Sequence, residues 1–158
     1  MTDVERQLDA LTRRVEALEE ELAIHRLIVR YGLAVDIGDA KHGAEVFAED
    51  GIYDVDIGVM RGRGAVRDMI TGARHQEMVG HCAHQIGPAV VEVGGDRAVA
   101  TGYSRVYLDT RAGTHIYRVS FNRWELEKRD GKWLIARRVT RLLGHDEAKT
   151  IFARALSD

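Results

Sequence analysis

The chain has 158 residues, 45% of them hydrophobic and 30% charged, with a net charge of -2. That length carries one domain with a sizeable core, and a near-neutral balance with no basic cluster among aromatics argues against nucleic acid as the main partner. No apolar run reaches the roughly 18 residues a membrane helix needs, while a lone cysteine, Cys82, rules out an internal disulfide and fits a reducing cytoplasm.

The opening segment, MTDVERQLDA, is acidic and polar, unlike a secretion signal. Val4, Leu8, Leu11, Val15, Leu18 and Leu22 then recur at alternating steps of four and three, with charged residues between them. That spacing predicts a helix with one apolar stripe. The stripe lies on its own domain or a neighbouring subunit, or forms a short coiled coil. Residues 1–22 are thus expected as a helical extension of one domain spanning 1–158. From Ile24 the pattern thickens through Leu27, Ile28, Val29 and Leu33, as expected of a buried half. Ile37-Gly38-Asp39 ends the helix, with Gly38 able to take the left-handed conformation.

Asp36 stands just before that end. A helix C-terminus carries partial negative charge and disfavours a carboxylate. Ala34, Val35 and Ile37 offer it no polar compensation. Such an aspartate is either a solvated end residue or a group with a task. The expected task is to orient, or exchange protons with, a histidine from a later strand, His84.

A short helix is expected at about 41–48 and a strand at 51–56, with a turn through Gly58 and Arg61–Gly64. Another helix follows at 65–71, and 73–80 reads as irregular. From His81 the chain becomes four long strand patterns, about 81–93, 96–109, 114–128 and 132–143. Gly94-Gly95-Asp96 and Asp130-Gly131-Lys132 supply hairpin turns. Pro88 marks an edge or a bulge. A last helix covers 146–156. Helices followed by an antiparallel meander form an α+β pattern. A curved sheet wrapped by helices would enclose an apolar pocket in which a few polar groups carry function.

Strict alternation puts His84 on one face with Ile86, Pro88 and Val90. A lone histidine there is a core residue unless Asp36 reaches it; a carboxylate on one ring nitrogen frees the other to take a proton. Arg141 shares a face with Ile135, Val139 and Leu143. A charge so placed needs a substrate anion or an internal partner, Asp109 or Glu125. Arg138 points to the other face, beside Leu134 and Leu142. Tyr31 and Tyr53 are donors that could polarise a carbonyl. Tyr31 lies about 140° round the helix from Asp36. No metal site is expected: His81 and His84 fall on opposite faces, and Cys82 reads as buried and inert.

Tyr31-x-x-x-x-Asp36, Gly80-His81-x-x-His84-x-Ile86, Asp130-Gly131-x-Trp133 and a basic last strand together resemble the SnoaL-like family of the nuclear-transport-factor-2-like superfamily. Within it the likeness is to bile acid 7α-dehydratases, scytalone dehydratases and hexachlorocyclohexane dehydrochlorinases. The resemblance implies a cone-shaped α+β fold, lyase chemistry without a cofactor, and a homotrimer. It implies a His84–Asp36 dyad with Tyr31 and Arg141 beside it, and Tyr53, Arg138 and the neighbourhood of Tyr107 on the substrate. It provides no clear counterpart for a second histidine, near which Tyr107, Asp109 or Thr110 lies. The expected function is a dehydratase acting on a hydrophobic ring compound such as a steroid or polyketide. A ketosteroid-type isomerase, a non-catalytic binding or assembly module, and a partner subunit of a larger oxygenase are the alternatives.

Overall fold

The structure, a computed structural model, describes residues 1–156. A 34-residue helix, α1 (Asp3–Asp36), opens the chain. Thr2 and Glu5 cap it reciprocally, each side chain taking the other's backbone N–H. Gly38, at φ 71°, lets the chain turn away from its end. Then come α2 (Ala40–Glu45), β1 (Phe47–Val55), β2 (Gly58–Arg61), α3 (Arg63–Thr71) and α4 (Ala73–Gln76). Four long strands follow: β3 (Cys82–Gly94), β4 (Arg97–Thr110), β5 (Gly113–Arg129) and β6 (Lys132–Leu142). A short α5 (Ala148–Ala153) and a 3-10 turn close the chain.

One sheet holds all six strands in the order β2-β1-β6-β5-β4-β3. Only β1 and β6 pair in parallel. The four-strand meander, the long helix and the last helix match the expected elements. Four details differ, the first being α4, a helical turn in a stretch expected to be irregular. Phe47 and Ala48 belong to β1 rather than the preceding helix, because a fully buried strand end there pairs with Ile135. Residues 58–61 form an edge strand on β1 instead of a turn. Within α1, Val29 and Leu33 are exposed, since only one side of this helix meets the sheet.

The core lies between α1, α3 and the inner sheet face, around Ile24, Ile28, Val35, Phe47, Val66, Ile70, Trp124, Leu126 and Ile135. Bulges decide which residues join it. An extra residue at Ala136 puts both Ile135 and Arg138 on the inner face. Another at Gly87–Pro88 turns Pro88 and Val90 outward and Ala89 and Val91 inward. The expected alternation through both places fails for this reason. Pro88 sits on an edge strand and in a bulge at once. No helix among the described residues is long and apolar enough to cross a membrane.

Candidate functional site

β3 supplies the donors that Asp36 lacks within its own helix. Asp36 Oδ2 accepts the backbone N–H of His84 at 2.8 Å. Its Oδ1 lies 2.6 Å from His84 Nδ1 and 3.5 Å from the Cys82 thiol. An ionised carboxylate only accepts, so Nδ1 carries the proton and Nε2 keeps its lone pair. Both side chains are 17% exposed, so neither is sealed from a small molecule. The approach depends on Gly32, one turn earlier. A Cβ there would lie 3.1 Å from the His84 carbonyl oxygen and 3.2 Å from Ile86 Cδ1.

Cys82 completes the cluster. Burial, and then the charge of Asp36, push its thiol up to about 11, so it stays protonated as a donor. Asp36, Cys82 and His84 also bring three potential ligand atoms within 4.8 Å of one another. A metal there would have to displace the thiol proton and break the Nδ1–Oδ1 bond. As built, the three form a hydrogen-bonded unit.

Tyr31 and Tyr53 meet elsewhere on the inner face, around Arg138. The guanidinium carbon lies 4.8, 4.7 and 5.4 Å from the ring centres of Tyr31, Tyr53 and Trp124. Such faces attract a cation. Arg138 is 2% exposed and has no carboxylate against it among the described residues. Its Nε and Nη2 donate to Asn122 Oδ1 at 3.2 and 2.9 Å, while Nη1 has no partner among the described residues. Thr140 donates to the same oxygen at 2.7 Å, and Asn122 Nδ2 donates to Ser104 Oγ at 2.8 Å. Burial first, then Tyr53, hold the Tyr31 phenol well above its ordinary value, against the opposing pull of Arg138. It remains a neutral donor.

Strand register connects the two clusters. Successive inner rows read Tyr53–Arg138–Trp124–Ala100, then Val55–Thr140–Asn122–Gly102, then Ser120–Ser104–Ile86, then Arg118–Val106–His84. Polar groups therefore lead from Arg138 through Asn122, Thr140, Ser104 and Ser120 to Arg118, with Val106 and Ile86 between them and the dyad. The floor they form is polar, where an apolar lining was expected. Arg118 also donates to Ser120 Oγ and pairs with the nearly buried Asp56.

Two expected site residues lie outside this face. Arg141, directly after inward Thr140, points to the opposite side and pairs with Asp54 at 2.9 Å and Glu147 at 2.7 Å. Its partners are neither Asp109 nor Glu125, and its charge is fully occupied. Tyr107 pairs across the sheet with Ala83, on the face away from His84, and donates to Gln85 Oε1 at 3.0 Å. The bulge at Ala136 explains why Arg138, and not Arg141, is the inward arginine. Sequence reasoning missed Ser104, Ser120, Asn122 and Thr140. Their signal was present in β5, where Arg118, Ser120 and Asn122 continue the alternation of Trp124 and Leu126.

The sequence profile of the SnoaL-like domain matches residues 16–139, most of the chain. The chain belongs to the SnoaL-like family. Its fold is that of solved nuclear-transport-factor-2-like proteins. One, with a cystatin-like fold, from Novosphingobium aromaticivorans, is 37% identical over 91% of this chain and 96% of its own, with a TM-score of 0.87. A protein of unknown function from Mycobacterium tuberculosis is 29% identical over 90% and 89%, with a TM-score of 0.76. A hexachlorocyclohexane dehydrochlorinase from Novosphingobium barchaimii shares the fold at 20% identity over 82% and 90%, with a TM-score of 0.70. No protein with a curated description matches at a significant level. In this SnoaL-like chain, α1 and the edge strand β3 together build the His–Asp pair.

Proposed function

We propose that this chain is a cofactor-independent lyase of the dehydratase type, acting on a hydrophobic cyclic ketone that carries a β-hydroxyl group. The observation that carries the reading is the 2.6 Å contact of Asp36 Oδ1 with His84 Nδ1, which leaves Nε2 as the basic atom. His84 Nε2 removes the proton next to the carbonyl. The electrons move onto the carbonyl oxygen as an enolate, then return to form the carbon–carbon double bond as the hydroxyl leaves. The imidazolium returns the proton, and the hydroxyl departs as water. Asp36 acts on His84 as a positioning residue and steadies its positive form.

The far end of the polar floor, three inner rows from His84, is suited to a polar group on the distal part of the substrate rather than to the enolate oxygen, which forms beside His84. Arg138 Nη1 has an unspent N–H there, with Tyr53 beside it and Tyr31 held protonated behind. Arg141 and Tyr107 have no part in this reading.

The test is turnover of a panel of hydroxylated cyclic ketones, followed by the absorbance of the conjugated enone. Replacing His84 with alanine is expected to lower kcat by roughly a hundred- to ten-thousand-fold. Asp36→Asn should fall as far, for a geometric reason. Both Asp36 oxygens accept, and the backbone N–H of His84 is a fixed donor, so the asparagine amide must turn its NH2 to Nδ1. That forces the proton to Nε2. Full activity in His84→Ala would sink the proposal. A product of unchanged mass in the wild type would point to the isomerase.

A further inference from the structure

The outer half of α1 takes no part in the site. Every residue from Met1 to Glu19 is exposed. The helix is first tied to its own domain at Glu20, which accepts Trp133 Nε1–H and pairs with Lys128. Beyond that tie, Val4, Leu8, Leu11, Val15, Leu18 and Leu22 face nothing and are each 46–73% exposed. A helical stretch of this length is marginal alone in water. A regular row of apolar side chains along it is a seam for another helix.

We propose that a second copy of this chain covers the stripe, its α1 running parallel and in register. Charge complementarity carries the choice of occupant. With the stripe at the core positions, Arg14 and Glu21 lie on one flank, and Glu19 and Arg26 on the other. In a parallel pair each residue of the first flank faces the second-flank residue five places on in the other helix. Arg14 then meets the partner's Glu19, and Glu21, which also lies 3.5 Å from His25 of its own helix, meets the partner's Arg26. Two-fold symmetry doubles both pairs. The next core position is His25, which in this arrangement stands beside the partner's His25 at the end of the seam. The domain leaves room, since Ile24, Ile28, Tyr31 and Val35, which face it, lie about 150° round the helix from the stripe.

Sedimentation equilibrium on the full chain tests this, with circular dichroism confirming that each variant folds. Leu11→Glu/Leu18→Glu is expected to halve the native mass. Arg14→Glu should raise the dissociation constant of the pairing by about tenfold, since it faces glutamates across the seam. No opposite charge sits three or four residues from Arg14 in its own helix, so the effect reports on the partner. Arg14→Glu/Glu19→Arg should restore the wild-type constant. Restoration by Arg14→Glu/Glu21→Arg instead overturns the parallel arrangement. A native mass unaffected by Leu11→Glu/Leu18→Glu overturns the seam itself.

Discussion

Asp36 shows how one side chain finds its hydrogen-bond partners far away in sequence. Its two oxygens collect a backbone N–H, a ring N–H and a thiol, all from two residues of β3, Cys82 and His84. The thiol has a measurable consequence. An acid that is neutral when protonated, and whose value rises on folding, favours the folded state below its unfolded value, near 9, and loses that contribution as pH climbs toward 11. At pH 8 the folded thiol should therefore hold about a hundredfold less thiolate than the unfolded one. Iodoacetamide should label Cys82 in the native protein correspondingly slowly, and at the ordinary rate in urea. Equal rates in both states would contradict the half-buried, Asp36-bonded placement. The inward arginine teaches a second lesson. Arg138 and Arg141 are three residues apart, yet one is wrapped in aromatic rings and the other is consumed by Asp54 and Glu147.

At the scale of elements, the site is a joint between a helix and an edge strand, and the joint is set by the missing side chain of Gly32. Glycine inside a helix ordinarily costs about 0.5–1 kcal/mol relative to alanine. Here the close approach to β3 gives that cost a purpose, because Asp36 rides on the same helix one turn further on. Gly32→Val is expected to force α1 away from the His84 carbonyl and Ile86. Overpacking of this kind destabilises by about 1–3 kcal/mol. Urea unfolding should register that loss, and the downfield ring-proton signal of the Asp36–His84 bond should weaken with it. The other outer tie of β6 is electrostatic. Burial raises the Asp54 carboxyl, but Arg141 and Arg137 outweigh it and hold the group below its ordinary value. This tie contributes fully above the usual carboxylate range and fades as pH falls through the lowered value.

Across the whole molecule, the polar floor joins three strands through one amide. Asn122 accepts from Arg138 and Thr140 and donates to Ser104, so β4, β5 and β6 share it. Asn122→Leu would strand a buried guanidinium, at a cost of about 3–5 kcal/mol. That is a large part of the roughly 5–15 kcal/mol that holds a domain together. The denaturation midpoint should drop sharply, and much less in Asn122→Leu/Arg138→Met, where no charge is left unpaired. Much of the molecule was readable in advance from period alone. The long helix α1, the four strands of the meander and the glycine turns between them depend on local sterics, and the structure has these elements where the sequence put them, although bulges break the period-2 runs of β3 and β6. Asp36 was legible as well, because a carboxylate at a helix end is a local conflict that asks for a partner. Only the tertiary structure could decide which arginine turns inward and that the floor is polar. A single extra residue at Ala136 reverses every side chain beyond it, and whether a strand bulges is settled by its neighbours in the sheet rather than by its own residues.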